Sequence, residues 1–360
     1  MLSIIVLLTS FIIAYCLTIP TISLAKKLRL VTDKKIRFHP AHTHEGIIPR
    51  GGGLPIYFSI LITSFIFLPI NKIIFGILLS SGLLIIVGLL DDYYDLSPYL
   101  RFITNLLISA LVIGFGLGIP YLSNPFGGII KLDQWQIVIN FFGKHSILVV
   151  ADILAIVWLS WIMNMVNWSK GVDGQLPGFV AITAFFLGIL AQRFTAHDIS
   201  VQSVALLSFI VSGAFLGFLP FNFYPQKIMP GYGGGALAGF LLGILSILSF
   251  GKLGTAVLIL SIPMIDAFYT ILRRLKNKKS PFRADWGHFH HRLLEIGWGR
   301  RRIAVFYWLV ALILGISSLF LKGNEKLIAF ITVAVLLLVF IIIIEKMKKQ
   351  KLNTTIESRI

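Results

Sequence analysis

Apolar runs of about 20 residues, repeated along almost the whole chain, constrain the fold more than any other feature of this sequence. A helix needs about 20 mostly apolar residues to cross the hydrocarbon layer of a membrane. Eleven segments meet this requirement, at about residues 2–24, 53–71, 73–90, 102–118, 146–164, 178–193, 200–219, 233–250, 253–272, 303–321 and 327–344. The sequence therefore predicts an all-α integral membrane protein with about eleven transmembrane helices.

Composition agrees with this fold class, because hydrophobic residues make up 57% of the 360 positions and charged residues only 13%. Those proportions lie outside the range of soluble globular domains. The first apolar run has no Lys or Arg before it and no small-residue cleavage site, so we expect a retained helix rather than a removed signal peptide. Cys16 is the only cysteine in the sequence, which excludes a disulfide within the chain and a cysteine metal site.

The net charge of +17 predicts a topology rather than a nucleic-acid partner. Of the 32 Lys and Arg residues, 25 lie in the segments 25–52, 91–101, 165–177, 220–232, 273–302 and 345–360, which are alternate connections between the predicted spans. An excess of Lys and Arg marks the cytoplasmic side of a membrane. We therefore expect the N-terminus outside, the C-terminus in the cytoplasm and the protein in the plasma membrane.

The connections between the spans are too short to hold a soluble domain, the longest being 25–52, 119–145 and 273–302. Residues 1–345 are therefore predicted to form one membrane domain, followed by a basic cytoplasmic tail at 346–360. The outer connection 119–145 has Pro and Gly residues between short apolar runs, a pattern typical of a small β-hairpin.

Three carboxylates lie close together at the predicted cytoplasmic end of the third span, namely Asp91, Asp92 and Asp95. Like charges so close repel one another and lose hydration at a membrane boundary unless a cation offsets them. Paired carboxylates that hold magnesium against a substrate phosphate are one use of such a set. The structural alternative is a solvated helix end with Arg101 as its counterion.

Two further clusters combine polar side chains with glycine. Asn164 and Asn167 share a helical face at the end of the fifth span, and the glycines after them permit tight turns whose N–H groups can face an anion. Arg50 is followed by glycines 51–53, which combines a guanidinium suited to phosphate with backbone that a ligand can approach. A capped helix end and a flexible hinge are the structural alternatives.

The basic connection after the ninth span carries His288, His290, His291 and Arg292. A zinc site usually needs a third or fourth ligand of Cys, His or carboxylate type, so phosphate contact or proton transfer is the more natural role among so many basic residues. A surface loop without function is the alternative. Asp266 is a further candidate, because a carboxylate in an apolar helix is unfavourable unless it is used; pairing with a neighbouring helix is its alternative.

Glycines recur every four residues at the start of the eighth span, at positions 231, 235, 239 and 243. Such a row forms a smooth ridge on which another helix can pack closely. We expect this packing role for Gly239 and Gly243, and the role of Gly231–Gly235 stays open.

Four motifs, in their order and spacing, resemble the polyprenyl-phosphate N-acetylhexosamine-1-phosphate transferases over almost the whole chain. They are Pro49-Arg50-Gly51-Gly52-Gly53, Gly88-Leu89-Leu90-Asp91-Asp92, Asn164-Met165-Val166-Asn167 through Asp173-Gly174, and His288-Phe289-His290-His291-Arg292. The eleven spans and the His-x-His-His pattern look more like the N-acetylglucosamine branch of this family than its peptidoglycan branch.

The resemblance implies an enzyme of glycosyltransferase family 4 that transfers a sugar 1-phosphate, N-acetylglucosamine 1-phosphate by that branch, from a UDP-sugar to undecaprenyl phosphate. UMP is released, and the product initiates a cell-envelope glycan. The resemblance also implies a cytoplasmic site that depends on Mg²⁺, with Mn²⁺ as an alternative. The partners would be the UDP-sugar, the polyprenyl phosphate and the membrane; the sequence fixes neither the sugar nor the oligomeric state.

By the same resemblance, the catalytic residues are Asp91, Asp92 and Asp173. Asp91 or Asp92 would deprotonate or orient the lipid phosphate, and the two together are the candidate metal ligands. The residues implied to bind substrate are Arg50, Asn164, Asn167, Lys170, His288, His290, His291 and Arg292. Asp173 and the two asparagines would arrange the nucleotide sugar, and the histidines with Arg292 would bind its diphosphate.

Two positions depart from the family's pattern. Its Asp-Gly-x-Asp-Gly is here Lys170-Gly171-Val172-Asp173-Gly174, and its Gly-Asp-x-Gly-Ser is here Gly231-Tyr232-Gly233-Gly234-Gly235. Lys170 and Tyr232 thus stand where the family usually has Asp, and the second of these Asp residues often binds magnesium. Three alternatives stay open: fewer carboxylates around the metal, replacement of part of its charge by Lys170, or loss of catalysis.

The two departures favour, as an alternative function, a non-catalytic homologue that binds polyprenyl phosphate. The same reaction with a different UDP-N-acetylhexosamine is a second alternative. A transporter is disfavoured, because transporters place polar residues at the middle of the membrane, whereas the clusters here lie at the ends of predicted helices.

Overall fold

The computed structural model describes residues 1–32, 46–124, 126–140, 144–193, 200–249, 253–281 and 286–357. The helices of these residues, in chain order, are α1 (Leu2–Lys27), α2 (Gly53–Phe67), α3 (Lys72–Tyr94), α4 (Pro98–Gly114), α5 (Val149–Trp168), α6 (Gln175–Gln192), α7 (Ser200–Asn222), α8 (Gly231–Leu248), α9 (Leu253–Ile259), α10 (Ser261–Lys276), α11 (Phe289–Glu295), α12 (Arg300–Phe320) and α13 (Gly323–Glu357). The strands are β1 (Val31–Thr32), β2 (Ile48–Pro49), β3 (Tyr121–Ser123), β4 (Ile129–Lys131), β5 (Gln136–Asn140) and β6 (Lys144–Leu148).

All eleven predicted apolar segments coincide with helices, but the helices differ in length. Within the described residues, eight are long and apolar enough to cross a membrane: α1, α3, α5, α6, α7, α8, α12 and α13. α2 and α4 have 15 and 17 residues, fewer than the ~20 that a crossing usually needs. The predicted class, a helical protein built for a membrane, is confirmed at this level.

The ninth predicted span is a bent pair of helices rather than one straight helix. α9 and α10 meet at Leu260 with an angle of 79° between them. Pro263 lies in the first turn of α10 and has no N–H to donate to the carbonyl of Ile259, a bond that a continuous helix would make. If the pair is one crossing, the described part of the chain has up to nine candidate crossings.

α8 lies at the centre of the bundle, where every one of its residues except Leu248 is buried. Its glycines allow α5 to approach closely. A Cβ at Gly239 would lie 2.5 Å from the carbonyl oxygen of Ile162, and a Cβ at Gly243 would lie 2.8 Å from Cδ2 of Leu159. The predicted packing role of these two glycines is confirmed.

Two short hairpins fill the connection between α4 and α5, where the sequence predicts a small hairpin. β3 pairs with β4 and β5 pairs with β6, both antiparallel. A third pair, β1 with β2, joins α1 to α2 and was not predicted. It fixes the backbone of Arg50, whose N–H donates a hydrogen bond to the carbonyl of Leu30 at 2.8 Å.

The segment predicted as a basic tail continues the last helix, because α13 extends to Glu357.

Candidate active site

The predicted polar clusters lie at one end of the bundle, which is formed by the starts of α2, α4, α6, α8 and α12 and by the ends of α3, α5 and α10. Contacts cross between these elements. Arg50, just before α2, reaches Asp92 of α3, and Lys170, just after α5, reaches Gly231 of α8. Side chains that are far apart in the sequence therefore form one continuous site.

Asp91 and Asp92, in the last turn of α3, are both buried, and each faces a guanidinium. Asp91 Oδ1 lies 2.5 Å from Nε of Arg101, and Asp92 Oδ1 lies 3.7 Å from Nε of Arg50. Asp92 also accepts a hydrogen bond from the backbone N–H of Tyr232 at 3.2 Å. The counterion expected for this helix end is present, but the two carboxylates are buried rather than solvated.

Asp95 is separated from this pair, because α3 does not continue through it. Its backbone is left-handed, with φ of 53°, and ends the helix. Its exposed carboxylate accepts a hydrogen bond from Nη2 of Arg101 at 2.8 Å. Asp95 therefore acts on the pair indirectly. It binds one side of the Arg101 guanidinium, whose Nε contacts Asp91.

Glycines allow α3 and α8 to approach closely enough to form the cluster. Gly231 has φ of +70°, and a Cβ there would lie 2.1 Å from Oδ2 of Asp92. A Cβ at Gly88 would lie 2.2 Å from Cα of Gly233. A larger residue at either position would separate the helices. The glycines at the start of α8, whose role the sequence leaves open, thus have a packing role at the site.

Lys170 enters the cluster from the turn between α5 and α6. Its Nζ donates a hydrogen bond to the carbonyl oxygen of Gly231 at 2.8 Å and lies 5.8 Å from the centre of the Tyr232 ring. Burial lowers the pKa of Lys170 to about 8, an effect that the Asp92 carboxylate opposes and the Arg50 guanidinium strengthens. The amine is therefore mostly protonated near neutral pH.

Tyr232 makes a cation–π contact with each of two cations. Its ring centre is 5.5 Å from the guanidinium carbon of Arg101 and 5.8 Å from Nζ of Lys170, and both distances are typical of cation–π interactions. Its hydroxyl donates a hydrogen bond to Oδ1 of Asn105 at 2.9 Å. The phenol is therefore directed toward α4, and this position supplies no carboxylate to the site.

The histidine motif begins a short helix, α11, rather than lying in a loop. His288 Nδ1 lies 2.9 Å from Oδ2 of Asp266, and the N–H of Phe289 donates a hydrogen bond to Oδ1 of Asp266 at 2.7 Å. A carboxylate is favourable here because the first N–H groups of a helix have no partner within the helix. Asp266, a candidate from the sequence, thus fixes the orientation of His288.

His290 joins the histidine motif to the turn that carries Lys170. Its imidazole packs on Gly171, where a Cβ would lie 2.0 Å from Nε2. The ring is buried, and within the described chain neither of its nitrogens has a hydrogen-bond partner. Burial, together with His291 and His288 nearby, holds the pKa of His290 well below its ordinary value. The ring is therefore neutral at physiological pH.

The last two residues of the motif have other neighbours. His291 stacks on Trp286, with the ring centres 4.1 Å apart. Arg292 Nη1 lies 2.5 Å from Oε1 of Glu345 on α13, and its guanidinium lies 5.2 Å from the centre of the Tyr269 ring. A diphosphate bound at Arg292 would therefore share the guanidinium with Glu345.

Asp173 lies in a polar group of its own beside the cluster. It accepts a hydrogen bond from Nε2 of Gln226 at 2.9 Å, and Nη1 of Arg300 lies 3.9 Å from its Oδ2. Burial raises the pKa of Asp173, and the Arg300 guanidinium opposes that shift. Sequence reasoning did not single out Gln226 or Arg300; the run of three arginines that opens α12 was the available signal.

The two asparagines of α5 differ in what they offer a ligand. Asn164 donates its amide N–H to the carbonyl of Ser160 at 2.7 Å. The Oδ1 atom of Asn167 is buried beside Gly235 and, among the described residues, has no hydrogen-bond partner. The carboxamide oxygen of Asn167 is therefore an acceptor that a ligand could use.

One turn, residues 169–174, connects these groups. Lys170 reaches the carboxylate pair through Gly231, Gly171 contacts His290, and Asp173 binds Gln226. The short separation of Lys170, Gly171 and Asp173 along the chain therefore fixes the distances between the three parts of the site that they contact.

The side chains at this end do not fit the magnesium site that the resemblance implies. Within the ranges described, no group of three or more His, Cys, Asp or Glu side chains is arranged to hold a metal ion. Magnesium requires oxygen ligands in near-octahedral geometry, and the carboxylates of Asp91 and Asp92 each face a guanidinium already. Lys170 adds a third cation at the same place, where a dication would need excess negative charge.

Comparison with known proteins finds that the chain is similar to members of a recognised family. The profile of glycosyl transferase family 4 matches residues 74–250. A probable undecaprenyl-phosphate N-acetylglucosaminyl 1-phosphate transferase of Bacillus subtilis is 28% identical over 84% of this chain and 81% of its own. A decaprenyl-phosphate N-acetylglucosaminephosphotransferase of Mycobacterium leprae is 29% identical over 86% and 82%. An undecaprenyl-phosphate alpha-N-acetylglucosaminyl 1-phosphate transferase of Escherichia coli K12 is 27% identical over 88% and 83%.

Proposed function

Because the chain belongs to glycosyl transferase family 4, we propose that it transfers N-acetylglucosamine 1-phosphate from a UDP-sugar to undecaprenyl phosphate. An oxygen of the lipid phosphate attacks the phosphorus that carries the sugar, and a new P–O bond forms. The bond from that phosphorus to the bridging oxygen breaks, and UMP leaves. The lipid diphosphate sugar then initiates a cell-envelope glycan. The names of the relatives support the sugar and the polyprenyl acceptor.

The observation that carries this proposal is the group of three cations around the buried carboxylate pair. Two phosphate-bearing substrates must approach each other in this reaction, and phosphoryl transfer depends mainly on positioning and charge neutralisation. Arg50, Arg101 and Lys170 supply positive charge where α2, α3 and α8 meet. In the proposed mechanism Asp91 or Asp92 orients the lipid phosphate or accepts its proton.

We assign the nucleotide sugar to the groups beside the carboxylate pair. The Oδ1 of Asn167, which lies against Gly235 as the Lys170 side chain does, accepts a hydrogen bond from the nucleotide sugar, and Asn164 and Asp173 arrange it. The donor's diphosphate lies at the start of α11. The residues proposed to bind it are His288, His290, His291 and Arg292.

We place this end of the bundle on the cytoplasmic face of the plasma membrane. The basic connections support that side. In the proposed topology the N-terminus is outside, the C-terminus is in the cytoplasm, and the chain crosses eleven times. α2 and α4 then cross as short helices, and α9 with α10 counts as one bent crossing.

The test is release of UMP and formation of lipid-linked sugar by the purified protein, given UDP-N-acetylglucosamine and undecaprenyl phosphate. Asp92→Asn should lower turnover by about 100-fold or more, because it removes one of the two buried counterions of Arg50 and Lys170 and an orienting group. Asp133→Asn is the control, because this residue lies between β4 and β5, at the other end of α4 and α5 from the site. It should change turnover by less than about threefold.

A second function is favoured by one observation, the presence of Lys170 and Tyr232 at positions where the family usually has Asp. A non-catalytic homologue would bind undecaprenyl phosphate but release no UMP from any UDP-N-acetylhexosamine. Release of UMP only from a different UDP-N-acetylhexosamine would keep the reaction and change the sugar.

A further inference from the structure

The charge balance at the site differs from that of a metal-dependent site. Three cations, Arg50, Arg101 and Lys170, face three carboxylates, the buried Asp91 and Asp92 and the exposed Asp95, so their formal charges cancel. The group therefore has no excess negative charge to hold a divalent cation before a substrate arrives. The substrates of the proposed reaction, in contrast, are anions that the three cations can bind.

The carboxylates are also held by partners that a metal would have to displace. The Nε of Arg101 lies 2.5 Å from Asp91, and Asp92 accepts the N–H of Tyr232 at 3.2 Å. That N–H belongs to the first turn of α8 and cannot move without the helix. A magnesium ion is held at about 2.0–2.1 Å by one or two carboxylates together with waters and substrate phosphates, so each carboxylate that it used would have to turn away from these contacts.

Lys170 is already placed as a fixed positive charge. Its Nζ uses one N–H on the carbonyl oxygen of Gly231, at 2.8 Å. An ammonium has three donors, so two remain for phosphate oxygens. Nζ also lies 5.8 Å from the centre of the Tyr232 ring, and this cation–π contact helps to hold the ammonium here without a carboxylate.

Relative to the pattern that the chain resembles, Lys170 and Tyr232 replace two carboxylates by one ammonium and one neutral phenol. The net charge of the site becomes more positive by three units through these two replacements, since two negative charges are lost and one positive charge is added. A bound magnesium ion contributes two. The change in side-chain charge, three units, therefore equals the charge of a magnesium ion to within one unit.

We propose that the ammonium of Lys170 replaces the divalent cation, so that this protein binds and turns over its substrates without a metal ion. The inference rests on the proposed function for its catalytic part. As the bond from the attacked phosphorus to the UMP oxygen breaks, the negative charge on UMP is balanced by Lys170 with Arg50 and Arg101. The lipid phosphate supplies the new P–O bond, and no co-reactant is needed.

The first test measures metal binding and needs no turnover. Purified protein, with and without UDP-N-acetylglucosamine, is titrated with Mn²⁺, and free Mn²⁺ is followed by its paramagnetic resonance signal. Wild-type protein and the Asp92→Asn variant should bind the same amount of Mn²⁺, because the wild-type site holds none. The double variant Lys170→Asp, Tyr232→Asp should gain a Mn²⁺ site. A wild-type Mn²⁺ site lost in Asp92→Asn would overturn the proposal, whether or not the double variant folds.

The second test measures turnover with chelator. After treatment with EDTA, wild-type UMP release should stay within about twofold of the rate in millimolar Mg²⁺. Lys170→Met should lose at least tenfold with chelator present, whereas Lys276→Met, a control at an exposed lysine that ends α10, should lose none. A loss of tenfold or more on chelation, restored by Mg²⁺, would overturn the proposal.

The two tests separate this inference from the proposed function. If no UDP-sugar yields UMP under any condition, the proposed reaction is wrong. The Mn²⁺ titration and the affinity for UDP-N-acetylglucosamine with and without EDTA still decide the role of Lys170. A nucleotide affinity that falls tenfold or more in EDTA would count against it, and an unchanged affinity would support it.

Discussion

His290 lies directly on Gly171, because a Cβ on the glycine would be 2.0 Å from Nε2 of the imidazole. The contact joins α11 to the turn between α5 and α6, two segments that are far apart in the sequence. Residue 171 must therefore be glycine for the histidine motif to pack against this turn.

Gly171→Ala should displace the His290 ring. Because the ring is buried and cannot swing into solvent, we expect a loss of about 1–3 kcal/mol in the free energy of unfolding and a fall in turnover of tenfold or more. Thermal unfolding in detergent and UMP release measure the two effects. Gly254→Ala is the control, since nothing lies within 4 Å of a Cβ there; an equal loss in both variants would contradict the prediction.

Asp266→Asn should change the orientation and tautomer of His288. The carboxylate now faces Nδ1 of His288 and accepts the N–H of Phe289, and an amide cannot accept both bonds. We expect a fall in turnover of about tenfold or more, together with a shifted pH profile. A variant with an unchanged pH profile but lower stability would show that Asp266 only holds α11 in place.

The low pKa of His290 predicts acid lability. The folded state keeps the buried ring neutral, while the unfolded chain binds the proton with a pKa of about 6.5. The stability that the neutral ring provides is thus present above about pH 6.5 and is lost as the pH falls toward the lowered folded-state pKa. His290→Gln should reduce the drop in Tm between about pH 7.5 and pH 5.5. An identical drop in both proteins would refute this.

The proposed topology predicts opposite labelling of two exposed positions. Cys16 is first replaced by serine, because it is itself exposed. In that background, Trp135→Cys in the hairpin region should react with a membrane-impermeant maleimide in intact cells. Lys276→Cys, at the end of α10, should react only after the membrane is opened. The reverse pattern would invert the topology and place the site outside.

Hydropathy predicted where the helices are, because burial of apolar side chains in lipid depends on local composition. It did not predict the bend at Leu260, which depends on Pro263 and on the packing around it. Nor did it predict α11. Its seven residues are too few to be stable alone, and the carboxylate of Asp266 from another helix holds its first turn.

The residues of the site were mostly predicted from motifs, while their grouping was not. The resemblance implies a catalytic role for Asp91, Asp92 and Asp173 together, yet Asp173 lies apart from the other two, where it binds Gln226 and faces Arg300. Such pairings join distant segments, and spacing within one motif carries no information about them. Arg292 shows the same limit, since its contact with Glu345 depends on where α13 docks.

The turn 169–174 makes three contacts, one beside the carboxylate pair, one with His290 and one with Gln226. The distances between these three contacts cannot vary independently, because one short segment makes all of them. A one-residue insertion in the turn would shift all three contacts together, whereas the same insertion in the hairpins between α4 and α5 would leave them in register. A compound bound beneath this short segment would consequently displace the residues of the proposed acceptor and donor subsites together.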